Sequence, residues 1–285
     1  MNNSMISAMV AMSGIQQKLG VVSDNIANAD TVGYKGKQAT FEDVFTTVKQ
    51  QPGAASQLPG RVTAPGYNVG FGARMGDVTM DMTQGALKNT QNPTDLAIQG
   101  DGMFAVSVDG QQGWTREGSF HYVPVANDPK SAYMATEQGY LLLGDNGQPV
   151  KVPAKTQIDI DAKGVIRSTD GTGKVTVVGS RTVDPATGKE TIKPQRIQVD
   201  RITHPEGLQQ MDGNLFVLPA NQNRASVIGP MSAATEVRQG FLEASNVDLS
   251  TEMTEMMTVQ RAYQLAARAL SSSDQMMNLT NTLRG

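Results

Sequence analysis

Apolar heptads at the two ends of this chain constrain its fold more than any other feature. Towards the C-terminus Leu249, Met256, Tyr263, Leu270 and Met277 recur every seven residues, with Met253, Val259, Ala266 and Ala267 at the half-turns between them. At the N-terminus Met5, Met12, Leu19 and Ile26 hold one seam position, and Ala8, Ile15 and Val22 hold the other. A seven-residue apolar repeat makes the narrow stripe by which one helix packs along another, so each end wants a partner helix and the opposite end supplies it. The stretch from Gln239 to Arg284 reads as one unbroken helix. Asp248 is its candidate N-cap, Glu252 and Glu255 lie in the first turns and Arg284 closes the far end, as the helix dipole favours. From Asp248 to Leu283 it would run roughly 54 Å at 1.5 Å per residue, longer than a compact domain of this size needs. Lys18 is the only charge between Met1 and Ser23, so the N-terminal helix lacks a charged solvent face and suits a place among other helices.

Between the helices the signals change. In Asp30-Thr31-Val32-Gly33-Tyr34-Lys35 the glycine supplies a turn and the β-branched pair disfavours helix. Phe41 and Phe45 stand four residues apart and share a face if that segment is helical. Gln50 to Gly76 is rich in Gly and Pro and reads as an extended arm. From Asp77 to Ser226 short apolar runs read as strands: Leu96-Ala97-Ile98, Met103 to Val108, Gly139 to Leu143, Ile158 to Ile160, Lys174 to Val178, Arg196 to Ile202 and Leu215 to Leu218. Asp109-Gly110, Asn146-Gly147 and Lys163-Gly164 lie between such runs and favour hairpins over parallel crossovers. The expected class is α+β: terminal coiled-coil helices from both chain ends (1–30 with 245–285) enclosing an inserted, mainly antiparallel β domain (77–226). The connecting arm is expected over 31–76 and 227–244.

Chemistry finds little to hold on to. The 285 residues contain no cysteine, which excludes disulfides, thiolate metal sites and cysteine nucleophiles. Net charge is -3, with Lys and Arg dispersed, so nucleic acid is not the expected partner. The longest apolar run near the N-terminus, Ala8 to Met12, is too short for a signal-peptide core or a membrane span, so neither a cleaved signal nor direct membrane insertion is expected. Phosphate-loop, zincin and nucleophile-elbow motifs are missing, and Gly70-Phe71-Gly72 has Met75 where a dinucleotide loop needs its third glycine. His121 and His204 have no ligand-like company. Asp159-Ile160-Asp161-Ala162-Lys163-Gly164 echoes a calcium loop, but Lys163 occupies a ligand position and strand, turn, strand accounts for every residue. Asp159 and Asp161 would be the carboxylates of a hidden hydrolase, yet nothing marks them as paired in a cleft. No catalytic, cofactor-binding or metal residue is expected.

The run Gly14-Ile15-Gln16-Gln17-Lys18-Leu19 followed by Asp24-Asn25-Ile26-Ala27-Asn28-Ala29-Asp30-Thr31-Val32-Gly33-Tyr34-Lys35 resembles the N-terminal signature of bacterial flagellar rod and hook proteins, with Asp24 in place of the usual first Asn. Gln239-Gly240-Phe241-Leu242-Glu243-Ala244-Ser245-Asn246-Val247-Asp248-Leu249, then Glu252-Met253 and Gln260-Arg261-Ala262-Tyr263, is similar to the family's C-terminal signature. Thr83 to Leu87, Asp95 to Phe104 and Thr115 to Phe120 resemble its core β motifs, with Thr94 where Leu is common and Met103 where Phe is. Roughly Asp145 to Gln195 carries no match.

The resemblance implies a non-enzymatic subunit of the flagellar basal body, exported unfolded by the flagellar type III apparatus without a cleaved signal peptide. Such subunits assemble with copies of themselves and with other rod and hook subunits into a helical tube that transmits torque, terminal helices lining its inner wall. The Gln50–Gly76 arm looks most like that of the distal rod protein; a proximal rod or hook-type subunit is the alternative within the family. A secreted adhesin would share the heptads but not the flanking signatures. The implied assembly seam is Met5, Met12, Ile15, Leu19, Val22, Ile26, Leu249, Met253, Met256, Tyr263, Leu270 and Met277. Phe41 and Phe45 match the family's Phe-x-x-x-Phe export element, against the plainer reading of an aromatic pair that packs on the next helix.

Overall fold

The computed structural model describes residues 2–45, 70–108, 110–125, 128–154, 156–169, 175–183, 190–211, 214–219, 221–232 and 234–284. It contains two long helices, α1 (Asn2–Ala27) and α3 (Leu249–Arg284), a single helical turn α2 (Arg224–Val227), a 3-10 turn (Pro205–Gly207), and β-strands. The chain is α+β and divides into two compact units: Met1–Ala27, Lys37–Thr79 and Asp248–Gly285 form one, Asn28–Gly36 and Met80–Val247 the other.

In the first unit α1 and α3 pack along each other. Side-chain contacts from Gln16 to Tyr263 and from Asn25 to Glu252 run in opposite numerical directions, so the helices are antiparallel. The N-cap of α3 is built as its sequence suggests: the Asp248 carboxylate accepts from the Ser250 amide at 3.1 Å and from the Thr251 hydroxyl at 2.6 Å. The helix begins later than the unbroken reading from Gln239. Gly240 takes φ +77°, and Glu236–Gln239 and Phe241–Glu243 are strands, because backbone partners at Leu96–Gln99 and Leu87–Asn89 outcompete helix there.

A second departure concerns the aromatic pair. Lys37–Phe45 is a strand paired with Gly70–Met80, not a helix, and the Thr40 hydroxyl donates to the Asp77 carbonyl at 3.0 Å. That second strand includes residues 70–76, expected as arm; glycine lowers strand propensity, but two-strand pairing supplies the backbone partners. Residues 46–69 of the expected arm lie outside the described residues.

In the second unit the central strand Met103–Val108 pairs antiparallel with Gln111–Thr115, Leu141–Leu142 and Val199–Ile202. Gln111–Thr115 continues the sheet to Leu215–Val217 and Gln209–Met211. A smaller antiparallel sheet holds Gln157–Ile160, Ile166–Thr169 and Val175–Val177. Gly110, Gly147 and Gly164 all have positive φ, as the turn dipeptides require. His121–Val125 and Asp128–Ala135 form a hairpin that the sequence hid, since Pro124 and Pro129 weaken a strand signal; the register shifts at Pro124/Val125. Residues 227–244 were expected as arm, yet Ile228–Pro230, Glu236–Gln239 and Phe241–Glu243 all pair within this unit.

Successive residues of the central strand Met103–Val108 point to opposite faces, and both faces are buried, so the strand feeds two core clusters. Phe104, Leu142, Val150 and Ile166 form one fully buried cluster, with Phe120 meeting Phe104 edge to face at 5.4 Å. Trp114, Met103, Ala105 and Phe216 form a second, and the Trp114 indole donates to Asp200 at 2.9 Å.

Candidate assembly site and the motif cluster

Along α3 Glu252, Met256, Val259, Tyr263, Ala266, Leu270, Ser273 and Met277 are buried or half-buried at four-three spacing, with Glu255, Ala262 and Ala267 half-buried beside them. On α1 Val22 and Asn25 are buried, while Met5, Ala8, Met12, Ile15, Leu19 and Ile26 are half-buried. Leu249 and Met253, assigned to the seam from sequence, are 43% and 50% exposed in the single chain. Seven residues before Val259 stands Glu252, which takes the place that Met253 was given. Asn25 reaches Glu252 from the last turns of α1, leaving little of α1 to cover Leu249.

Asn25, named from sequence only as part of the N-terminal signature, has a structural role that its local context does not reveal. Its amide nitrogen donates to the Lys37 carbonyl at 2.9 Å and to Glu252 at 3.0 Å, and its oxygen accepts from the Lys37 amide at 2.9 Å. One side chain thus ties α1 to α3 and to the start of the strand pair. Beside it Lys18 pairs with Glu255 and stands 5.6 Å over the Phe41 ring. The second carboxylate oxygen of Glu252 is buried with no hydrogen-bond partner among the described residues. Burial pushes the Glu252 carboxyl above the ordinary carboxylate range; the Asn25 bond opposes the shift and Glu255 adds to it.

The second unit contains a site of a different kind. Lys35, Arg116 and Glu243 have side-chain exposures of 1%, 4% and 1%. Charges so buried persist only when paired and fully hydrogen-bonded. One Glu243 oxygen accepts from the Lys35 ammonium at 2.7 Å and from the Gly85 amide at 2.9 Å, and the other accepts from Arg116 Nε at 2.6 Å. Lys35 donates further to the Thr83 carbonyl at 2.6 Å; Arg116 donates to the carbonyls of Gly102, Ile98 (3.0 Å) and Gly100 (2.8 Å). Burial lowers the Lys35 pKa, and the Glu243 carboxylate holds it up. Asn246 completes the site, accepting from the Gly36 amide at 2.8 Å and donating to the Asp81 carbonyl at 2.8 Å. With its donors and acceptors engaged in this way, the arrangement suits holding segments together rather than acid–base chemistry.

Of the other residues singled out, Phe41 is 42% exposed, and the side chain of Phe45 lies outside the described residues. Asp159 and Asp161 sit at the end of a hairpin strand, and Asp161 pairs with Arg167 at 3.1 Å. His204 Nδ1 lies 3.0 Å from the Ser226 carbonyl oxygen; His121 opens a strand and is exposed. Among the described residues no three His, Cys, Asp or Glu side chains gather in a way that could hold a metal ion, and no helix is long and apolar enough to cross a membrane.

Three family models match the chain: flagella basal body rod protein over residues 5–35, the flagellar hook protein FlgE/F/G D1 domain over 97–168, and the flagellar basal body rod FlgEFG protein C-terminal region over 238–283. The FlgG flagellar basal-body rod protein of Caulobacter vibrioides is 32% identical over 98% of both chains. The chain belongs to the flagellar basal-body rod family. It is also 29% identical to the FlgG rod protein of Bacillus subtilis over 97% of both chains, and 28% identical to the hook-basal body complex protein FlhP of the same organism over the full length of both. Rod-family proteins are structural rather than enzymatic, and this one is FlgG-like, a subunit of the basal-body rod. The buried cluster takes one charged residue from each matched region: Lys35, Arg116 and Glu243.

Proposed function

We propose that this subunit builds the distal rod by polymerising through its terminal helices into a helical tube that transmits torque to the hook. The observation that carries the reading is a second apolar stripe on α3. Beyond the residues covered by α1, Met253, Met257, Leu265, Met276, Leu279 and Leu283 are 50–87% exposed in the single chain. Apolar surface of this extent along one helix marks an interaction face. A heterologous contact repeated by a helical operation gives an open filament, and helices packed in coiled-coil fashion along its axis resist twist. Copies of the chain and other rod and hook subunits are the partners of that face.

The paired substitution Leu265→Ser and Leu279→Ser tests this. Both side chains are exposed, so helix content and the β unit should be unchanged while basal bodies imaged from cells carrying the variant end short of the hook. Complete rods with the variant subunit incorporated would overturn the assignment.

In the same reading the subunit leaves the cell through the flagellar type III apparatus without a cleaved signal, and Phe41 and Phe45 engage the export machinery while the chain is unfolded. Phe41→Ala with Phe45→Ala should cut secretion several-fold and leave the β unit folded, because Lys37–Phe45 belongs to the other unit. Normal secretion by the double variant would leave the aromatic pair a packing role only.

A further inference from the structure

The buried cluster has an asymmetry along the chain. Its two cations, Lys35 and Arg116, precede its only carboxylate, Glu243, by 208 and 127 positions. Glu243 does not arrive alone. Glu236–Gln239 is the strand partner of Leu96–Gln99, and Phe241–Glu243 that of Leu87–Asn89. The Val237 amide donates to the Ala162 carbonyl at 2.9 Å, and the Gln239 amide group donates to Ile158 O at 2.8 Å and accepts from the Ile160 amide at 2.9 Å. Without residues 236–247 two buried cations would lose the carboxylate that both of them bond. The Leu96–Gln99 strand would lack its strand partner, although Leu96 and Ile98 are each only 1% exposed.

We propose that residues 236–247 are a closing latch for the β unit, with Glu243 as its key: the unit does not hold its native fold until this late segment docks on Lys35 and Arg116. A chain delivered N-terminus first, whether by synthesis or by passage through a channel, therefore stays open until its C-terminal portion is free. The latch does not depend on the export reading, because any event that withholds residues 236–247 withholds the carboxylate. Burying one charge without its partner is strongly unfavourable, and here two would be left.

Native-state amide exchange of the full chain in low urea tests the coupling. Amides of Met103–Val108 and Gln111–Thr115 should lose protection in the same step as those of 236–243. Opening of 236–243 while 103–115 stays protected would overturn the latch. The charge argument is tested by urea unfolding followed through Trp114, the single tryptophan and buried in this unit. Glu243→Gln should lower the midpoint by about 1–2 M or abolish the transition, given the penalty for unpaired buried charge and typical urea dependence. Adding Lys35→Met removes one of the stranded cations and should raise the midpoint, or restore the transition, relative to Glu243→Gln alone. A wild-type midpoint for Glu243→Gln, or a double variant no better than that single variant, would refute the role of Glu243.

Discussion

Gly33 sits at φ +69°, and a Cβ there would stand 2.5 Å from the Arg116 carbonyl oxygen; Gly147 has φ +70° with open space around it. The pair separates two costs that are usually measured together. Gly147→Ala should destabilise by about 1–2 kcal/mol, the penalty of a left-handed L-residue. Gly33→Ala should cost more than that, because the new methyl also forces backbone apart in the loop that carries Arg116 into the cluster. Thermal unfolding of both variants checks the order; an equal loss would mean that the loop yields at no cost. The turn at Gly33 was readable from sequence, since glycine after two β-branched residues ends a helix. The cluster it serves was not. Lys35, Arg116 and Glu243 each look like ordinary solvated charges in their local contexts, and their meeting depends on strand pairings across most of the chain.

The helices were legible for the opposite reason: a heptad records its packing face within the segment itself. At Met253 the reading was off by one residue: Glu252, seven residues before Val259, is half-buried and Met253 is exposed. Val259 and Val22 are 6% and 3% exposed. In the assembled subunit Val259→Ala should cost about 1–2 kcal/mol of helix pairing, a little less than the loss for larger apolar side chains, measured as a lower thermal midpoint of the helical signal with the Trp114 signal unchanged. Glu252 adds a pH dependence. Its folded pKa lies above the ordinary 4.5, so the folded helix pair binds more protons than the unfolded chain just above that value. Stability from this group is therefore fully present below pH 4.5 and is lost as pH rises through the raised value. Asp248 acts in a separate window: hydrogen bonds from Thr251 and Ser250 depress its pKa below 3.8, so its contribution is lost only as pH falls through that lower value. In the assembled subunit the helical midpoint should fall as pH rises above 4.5 in the parent chain and stay flatter in Glu252→Gln; identical slopes would remove Glu252 as the cause. Strand assignments failed where Pro124 and Pro129 hid a hairpin and where glycines masked Gly70–Met80, since in both cases strand identity comes from the partner rather than from the segment.

At the scale of the whole chain the two units bury very different amounts of apolar surface. Among the described residues of α1 and α3 the only buried hydrophobic side chains are Val22 and Val259, whereas both core clusters belong to the β unit. Full burial of a valine or larger apolar side chain contributes about 1.5–3 kcal/mol. Fixing the backbone costs about 1–2 kcal/mol per residue, and helices seldom stand alone in water. Helices of 26 and 36 residues with so thin a seam therefore need more cover than they give each other. We expect the isolated monomer to be well ordered in the β unit and frayed at both ends, the terminal helices becoming firm only when neighbouring copies cover the outer stripe of α3. Such a monomer is protected from premature polymerisation by the entropy of ordering its ends. Amide exchange on dilute protein decides the point. Strong protection should appear in Met103–Val108 and Gln111–Thr115, little in 2–27 and 249–284, and the ends should gain protection on assembly. Monomer helices as slow to exchange as the central strands would show that α1 and α3 complete a stable unit by themselves, and the order in which this protein folds and assembles would have to be reversed.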